Sequence, residues 1–329
     1  MEFLRYKLKP RSPLGSKLQS DTLAGHFLCY VREKDGEDAL KKLISQFLEG
    51  NPPFILSSAF PSGKLPFPIL PPPARKDFRT FVEENAAVFG SGGYNKTTLS
   101  TVLQRLKKFK KQSYLSLDAW KTGKNGFDFN VLFLEYVKEG EKKRQESKKV
   151  ETPHNVIDRT TNRVSDSGGL FFTEETFFDE VFAFDLYVKV RPDFKENFGD
   201  LIDYMSKTGF GRDRSVGKGV FEIELDESFN PADLENPEGD YLLNFSVFST
   251  ANMGDWDGYY QLVTKYGRVW NGFGEASPFK KPFIAFKEGS VFKRREVDYA
   301  SCVLRNIHSN SDIIQCTLPL MIPFHWEAS

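Results

Sequence analysis

The sequence predicts an α+β fold. We expect a ferredoxin-like (RRM-like) domain with a large insertion over residues 1–229, and a second β-rich, degenerate ferredoxin-like domain over residues 230–329. Apart from the insertion at about 71–180, the hydrophobic periodicity up to residue 225 follows the order β-α-β-β-α-β of that fold. The rest of the chain carries short strand patterns separated by turn residues. A length of 329 residues is sufficient for about two domains.

The beginning of the chain predicts a strand, two helices and a second strand. Residues 2–9 alternate apolar and polar or basic side chains, which is typical of a strand. Apolar residues recur at helical spacing in 23–28 and again in 39–48, before Gly50 and two prolines. Residues 54–60 are apolar and short enough for a buried strand.

The stretch from residue 71 to about 150 interrupts this order and is strongly basic. Helical patterns cover 76–89 and 98–111. Between residues 96 and 149 there are 14 lysines and arginines against 6 acidic residues. This excess is typical of a solvated helix face followed by a mobile linker, or of a surface that faces a polyanion. The charged run at 138–151 is predicted to be disordered.

The clearest strand pattern in the chain is 181–190, which Pro192 ends. Residues 194–207 then follow helical spacing, and 220–225 alternate as the last strand of the first domain. The strands predicted beyond residue 230 are 241–248, 259–263, 283–286, 302–305 and 313–320.

The composition argues against several classes of protein. Basic and acidic residues both number 45, so the formal net charge of zero is unlike that of a histone-like protein that coats DNA. The three cysteines lack the spacing of a disulfide framework or a zinc knuckle, and the histidines lack that of a metal site. Because no signal peptide and no apolar run of about 20 residues are present, we expect a cytoplasmic protein without a membrane partner.

A glycine-rich loop between the last helix and the last strand of the first domain is the most informative motif. It is neither a P-loop nor a dinucleotide fingerprint, because it leads from helix to strand and its spacing differs. Its glycines allow close backbone approach and exposed N–H groups, and its cations suit phosphate oxygens. A long connection that needs positive φ would explain one or two of the glycines. The candidate binding residues are Gly209, Gly211, Arg212, Arg214, Gly217, Lys218 and Gly219.

The start of the first helix is a second candidate site. Ser20, Asp21 and Thr22 are expected to cap the helix, and free N–H groups at a helix N-terminus bind phosphate. Lys17 lies just upstream. The same residues would also serve as a plain helix cap without any ligand.

A β-hairpin arm at about 152–178 is the third candidate site. Ser167-Gly168-Gly169 suits a turn between strands at 155–163 and 170–172. Polar side chains in the arm suit contacts with phosphates and bases along a nucleic acid strand, although a plain surface hairpin has the same pattern. The candidate residues are Asn155, Asp158, Arg159, Thr160 and Arg163.

These three segments, KPRSPLGSKLQSDTLAGHF, PHNVIDRTTNRVSDSGGLFF and GFGRDRSVGKGVFEIE, together resemble the RAMP superfamily of CRISPR proteins. Their combination is similar to the Csm-family subunit that caps the crRNA 5′ handle in type III-A effector complexes. The resemblance implies a non-catalytic subunit without cofactor or metal, in which the candidate residues named above bind the handle. It also implies contacts with the large polymerase-like subunit and a backbone RAMP subunit, and indirectly with target RNA.

Two other functions compete with this interpretation. A metal-independent endoribonuclease of the same superfamily would cut repeat RNA with His26 as general acid or base and Lys17 as the nearest supporting group. No aspartate matches the catalytic aspartate of the backbone RAMP subunits, and no GxSxG motif is present. A scaffold that binds no nucleic acid is the weaker third possibility.

Overall fold

The structure of the chain is a computed structural model that describes residues 1–71, 75–89, 96–139, 147–161, 163–164, 169–269 and 277–326. Within these ranges the α-helices are α1 (Ser20–Asp35), α2 (Glu37–Leu48), α3 (Arg75–Glu84), α4 (Lys96–Phe109), α5 (Leu117–Gly123), α6 (Phe129–Glu139) and α7 (Lys195–Thr208).

The strands of the same ranges, in chain order, are β1 (Glu2–Pro10), β2 (Phe54–Leu56), β3 (Phe60–Pro61), β4 (Lys64–Pro66), β5 (Tyr114–Ser116), β6 (Ser147–Asn155), β7 (Ile157–Asp158), β8 (Arg163–Val164), β9 (Leu170–Phe178), β10 (Phe184–Val190), β11 (Phe221–Leu225), β12 (Tyr241–Asn244), β13 (Gly258–Tyr259), β14 (Leu262–Lys265), β15 (Phe283–Phe286), β16 (Val291–Lys293), β17 (Val303–Leu304), β18 (Gln315–Cys316) and β19 (Met321–Phe324).

We call residues 1–229 the first half of the chain and residues 230–329 the second half, after the predicted domain boundary. The first half is built on an antiparallel sheet with the strand order β11-β1-β10-β2, and β3 pairs with β10 beyond the end of β2. β1 lies inside the sheet, with Tyr6 opposite Leu186 on one side and Leu225 on the other. The predicted mixture of helices and strands is confirmed. The elements predicted at 2–9, 39–48, 181–190, 194–207 and 220–225 are present within a few residues of their expected bounds, whereas α1 runs seven residues beyond 23–28 and the strand expected at 54–60 is divided into β2 and β3.

Helices α1 and α7 cover one face of this sheet. Alternation along β1 turns Tyr6 and Leu8 to that face, where the ring of Tyr6 lies 6.0 Å from that of Phe198 on α7. Phe27 of α1 also packs on Phe198, with their ring centroids 5.4 Å apart. The opposite face meets the second half of the chain through Tyr187, whose ring lies 5.5 Å from Phe245.

The second half contains a four-stranded sheet of order β13-β16-β12-β19. The insertion packs on this sheet through Trp120, whose ring lies 5.3 Å from Phe324 and whose indole N–H donates to the Leu234 carbonyl at 2.8 Å. One cluster of buried apolar side chains runs through both halves and the insertion. The predicted domain boundary near residue 229 therefore crosses a continuous core, and the boundary itself stays a prediction.

Three expectations for local structure were wrong. Residues 147–151 form the first half of β6, whereas they were expected to be disordered. The arm accordingly begins at residue 147, and β6 pairs with β9 from Ser147↔Phe178 to Asn155↔Leu170, not 155–163 with 170–172. Helix α1 has Gln19 at its N-cap, so Ser20 lies inside the helix and does not cap it. The turn predicted at Ser167-Gly168 lies outside the described residues.

Candidate nucleic-acid interface

The glycine loop, residues 209–219, connects α7 to β11 in a conformation that requires glycine. All four glycines have positive φ: Gly209 (75°), Gly211 (85°), Gly217 (87°) and Gly219 (69°). At Gly219 the backbones come so close that an added Cβ would overlap the carbonyl oxygen of Phe210. Phe210 is fully buried and anchors the loop to the core. A long connection between helix and strand therefore needs all four glycines, which is more than the sequence indicated.

All three loop cations pair with acidic side chains within the molecule. The Arg214 guanidinium donates to Glu33 at 2.6 Å and lies over the ring of Tyr30 at 5.4 Å. The Lys218 ammonium is paired with Glu175 of the arm. Arg212 pairs with Asp213 at 3.4 Å, but its side chain is 41% exposed, against 17% for Arg214 and 18% for Lys218. Of the predicted phosphate ligands in the loop, Arg212 is thus the one best placed to meet a ligand.

The glycine loop, the segment 13–17 and the base of the arm meet at one place, which we call the junction. The backbone N–H of Arg212 donates to Ser16 Oγ at 3.0 Å, and its guanidinium donates to the Glu174 carbonyl at 3.0 Å. Leu14 and Thr176 exchange two backbone hydrogen bonds of 2.9–3.0 Å. Lys17 lies beside these contacts with its side chain exposed. The junction therefore brings together parts of all three predicted segments.

The arm, residues 147–178, projects from the junction as a two-stranded ladder. A short second pairing near its tip sets Asp158 opposite Arg163. Asn155, Arg159, Thr160 and Arg163 are exposed, as a nucleic-acid contact requires. The arm also exposes several apolar side chains, which the sequence analysis did not single out: Val156, Ile157, Val164, Leu170, Phe171 and Phe172.

The inner face of the arm carries a line of polar groups that ends at the glycine loop. His154 Nε2 contacts Thr173 Oγ1 at 2.8 Å, and that hydroxyl donates to Glu175 at 3.3 Å. The hydrogen bond from the Lys218 ammonium holds the pKa of Glu175 below its usual range, so this carboxylate is ionised near neutral pH. Glu175 was not among the predicted site residues, although two adjacent acids within an aromatic strand at 170–178 are a visible signal.

The start of α1 faces the protein interior. Ser20 and Asp21 are buried, and Ser20 Oγ exchanges hydrogen bonds with the backbone of Val247 at 2.8 and 3.3 Å. Asp21 pairs with Lys265 at 2.9 Å, while Thr22 is half-buried. Ser20 and Asp21 thus connect the two halves of the chain. Their predicted contact with phosphate stays a prediction, and Lys17 is the exposed residue of this group.

His26 has the environment of a packing residue. Its ring lies 4.5 Å from that of Phe210 and 5.9 Å from that of Tyr30. Burial, together with the nearby Arg214 charge, lowers the pKa of His26 to about 4. The imidazole is therefore neutral near pH 7, where the imidazolium form that acts as a general acid is nearly absent and the ring is a weak general base.

Neither a metal cluster nor a membrane-spanning helix is found among the described residues. Among them, no group of three or more His, Cys, Asp or Glu side chains is arranged to hold a metal ion. No helix within the described ranges has the length and apolar character needed to cross a bilayer.

Comparison with known proteins gives one curated relative of nearly full length. The chain is 27% identical over 298 residues, 89% of this chain and 87% of the relative, to the CRISPR system Cms protein Csm4 of Thermococcus onnurineus (strain NA1). The chain resembles Csm4. The similarity to the Csm family that the three sequence segments predicted is confirmed. No protein-family model matches the chain.

Solved structures of Csm4 assemblies contain chains with the same fold. A chain of a Csm1–Csm4 cassette in complex with pppApA aligns with a TM-score of 0.58 and 18% identity over 99% of both chains. A chain of a Csm3–Csm4 subcomplex of the type III-A CRISPR-Cas interference complex aligns with a TM-score of 0.56 and 16% identity, over 98% of this chain and 99% of that one. At these identities the likeness to Csm4 assemblies concerns the fold.

Proposed function

We propose that the chain is a non-catalytic, Csm4-type subunit of a type III-A CRISPR effector complex that binds the 5′ handle of the crRNA. The observation that carries this proposal is the sequence similarity to Csm4 over 89% of the chain. The surroundings of His26 favour this function over the endoribonuclease, because a neutral, ring-packed imidazole is poorly suited to proton transfer at pH 7.

The fold supports a ferredoxin-like interpretation of the first half. The core elements β1, α1, β2, β10, α7 and β11 follow the βαββαβ order, and both helices pack on one face of an antiparallel sheet. We assign residues 1–229 to this domain and regard the β-rich residues 230–329 as its degenerate second copy. RRM-type domains of this topology recognise single-stranded RNA, which fits the proposed ligand.

The junction is the part of the molecule that we assign to the handle. Exposed cations at Arg212 and Lys17 suit phosphate oxygens, and the exposed polar residues of the arm suit the edges of unpaired bases. Arg214 and Lys218 have a different role in this proposal. Their ion pairs with Glu33 and Glu175 hold the loop on α1 and on the arm, so they position the binding surface.

The partners follow from the assemblies in which similar chains occur. A chain with this fold is found with Csm1 in one solved structure and with Csm3 in another. We infer that this chain likewise contacts a large polymerase-like subunit and a backbone RAMP subunit, and target RNA only indirectly. A cytoplasmic location and the absence of cofactor and metal belong to the same proposal.

Charge removal at the junction tests the RNA-binding part of the proposal. Arg212→Ala and Lys17→Ala are each expected to weaken binding of a labelled handle-containing crRNA about tenfold. Each is also expected to reduce the slope of log affinity against log salt by about 0.7, as loss of one single-strand phosphate contact should. Lys41→Ala is the matched control, because Lys41 is an exposed α2 lysine paired only locally with Glu37. Equal affinities for all variants would contradict the assignment of the junction.

Copurification tests the assembly, and incubation with RNA tests the absence of catalysis. Tagged chain coexpressed with its neighbouring subunits should recover both partners and RNA whose sequenced 5′ ends begin with repeat-derived nucleotides. Incubation of the purified chain with repeat RNA in EDTA should leave the RNA intact. Defined cleavage that is lost in His26→Ala would support the endoribonuclease instead.

A further inference from the structure

A second hairpin, outside the site described so far, carries an unpartnered face. Strands β14 and β15 pair from Leu262↔Phe286 to Lys265↔Phe283, and a bridge between Arg268 and Phe279 extends the pairing. We call residues 262–269 and 277–286 the C-terminal hairpin.

The inner face of the C-terminal hairpin is firmly attached to the molecule. The Lys265 ammonium donates to Asp21 at 2.9 Å and to Gln19 at 2.8 Å. The Lys280 ammonium donates to the Gln315 side chain at 2.8 Å. At the end of β15, Phe286 lies opposite Leu262 and is buried, with its ring 4.9 Å from that of Phe248. Because both strands are fixed from one side, the side chains on the other side are held in a defined arrangement.

The outer face combines aromatic rings with cations. Alternation along β14 turns Leu262, Thr264, Tyr266 and Arg268 outward. The side chain of Tyr266 is 77% exposed and that of Phe279 is 61% exposed. The Arg268 guanidinium lies over the Phe279 ring at 5.0 Å from its centroid. Exposed aromatic side chains grouped on one rigid face are typical of a binding surface.

The charge of this segment identifies the kind of partner. Residues 258–287 contain five lysines and arginines against one acidic residue. Of these, Lys265 and Lys280 are held on the inner face, and Arg268, Lys281 and Lys287 are exposed. Single-stranded nucleic acid is bound by this combination, in which rings stack on bases and cations follow the phosphates. Protein interfaces, in contrast, are depleted in lysine.

We propose that the outer face of the C-terminal hairpin is a stacking platform for single-stranded RNA. Tyr266 and Phe279 lie under unpaired bases, and Arg268 and Lys281 contact the neighbouring phosphates. The platform rests on the proposed function, since it extends the RNA path of the junction. The Lys265 ammonium donates a hydrogen bond to Gln19. Gln19 lies two positions along the chain from Lys17, which flanks the junction, so the hairpin is attached next to the junction.

Two labelled strands separate stacking from charge attraction. One is an oligoadenylate of about 12 nucleotides, within the span of a single-strand binding module, and the other is an abasic strand of equal length. The full chain should bind the oligoadenylate more tightly. Tyr266→Ala with Phe279→Ala should lose at least about 30-fold in affinity for the oligoadenylate, because loss of each stacked ring alone lowers affinity about 5-fold or more. The affinity of this double variant for the abasic strand should equal that of the unmodified chain. The slope of its log affinity against log salt should also be unchanged.

Matched variants make the result specific to the rings. Tyr266→Phe keeps the aromatic face and should bind the oligoadenylate like the unmodified chain. Val181→Ala removes an apolar side chain that is 78% exposed outside both surfaces, and it should have no effect. Photo-crosslinking of the unmodified chain to a 5-bromouridine strand needs no substitution and should yield adducts at the hairpin.

Three results would overturn the platform. The first is an unchanged affinity of the folded double variant for the oligoadenylate, together with crosslinks that avoid the hairpin. In that case a loss of binding in Arg212→Ala would leave the proposed function intact. The second is a double variant that keeps RNA binding but no longer copurifies with a partner subunit, which would make this face a protein contact. The third is an unmodified chain that binds no RNA, which would remove both proposals.

Discussion

Replacement of Gly219 by alanine tests whether close backbone approach shapes the glycine loop. Gly219 has a φ of +69°, and an added Cβ would overlap the Phe210 carbonyl oxygen and lie 2.9 Å from Phe210 N and C. The Phe210 N–H donates to the Gly219 carbonyl at 2.8 Å, and the Gly219 N–H donates to the Pro13 carbonyl at 3.0 Å. Relief of the overlap requires a backbone shift that breaks both hydrogen bonds.

The expected cost follows from these contacts. Each backbone hydrogen bond contributes about 1 kcal/mol, and a Cβ at left-handed φ costs about 1–2 kcal/mol. Gly219→Ala should therefore lower the free energy of loop opening by about 3–4 kcal/mol. Gly217→Ala is the matched control, because Gly217 has a φ of +87° but no atom within 4 Å of its added Cβ. Only the conformational cost of about 1–2 kcal/mol applies there.

Hydrogen exchange of the backbone amides measures this difference where it arises. The amides of residues 210 and 219 should exchange roughly 30-fold faster in Gly219→Ala than in Gly217→Ala, since about 2 kcal/mol separates the two. Urea unfolding of both variants gives the global comparison. Exchange rates that agree within about threefold would refute the reasoning, because the loop would then accommodate a Cβ without losing its hydrogen bonds.

Two further outcomes concern pH. The Asp226 carboxyl is buried, but hydrogen bonds from Ser228, Lys7 and Arg5 outweigh burial and hold its pKa well below the usual range. The stabilisation of the folded chain by the ionised carboxylate is therefore fully present above about pH 4 and is lost as the pH falls further. Asp226→Asn should cost about 2–4 kcal/mol of unfolding free energy at pH 7, and a difference that does not shrink in urea titrations toward pH 2 would contradict this. The pKa of His26 is lowered to about 4 in the folded chain. Between about pH 6.5 and pH 4 the unfolded chain therefore binds a proton at His26 that the folded chain does not, and the free energy of unfolding decreases as the pH is lowered through this range. His26→Phe should flatten that fall in thermal melts, and an NMR midpoint of 6–7 for His26 would count against it.

The sheet of the first half could be predicted because each of its elements has a clear period. Part of the second sheet could not. β19 contains Pro323, which argues against a strand, but β19 is an edge strand of its sheet, where a missing N–H is tolerated. Of the strand predicted at 313–320, Gln315–Cys316 forms β18, and β19 begins after it at Met321.

The glycines of the candidate site could be predicted, but the roles of its cations could not. Positive φ is a local property that glycine reports directly. The ion pairs that hold Arg214 and Lys218 are not local, because Glu33 lies 181 residues from Arg214 and Glu175 lies 43 residues from Lys218. Without these partners, all three loop cations looked equally free for phosphate. The burial of Ser20 and Asp21 likewise depends on Val247 and Lys265, far along the chain.

The strand order of the first sheet has a consequence for biosynthesis. Both neighbours of β1 are encoded far downstream, β10 from residue 184 and β11 from residue 221. At about 5–20 residues per second, a ribosome needs roughly 10–35 s after making β1 to deliver its first partner. During that time Tyr6 and Leu8 have no sheet to join. The nascent chain thus exposes an unpaired strand that carries apolar side chains between charged ones, and we expect chaperones that shield it to raise the yield of this subunit in cells.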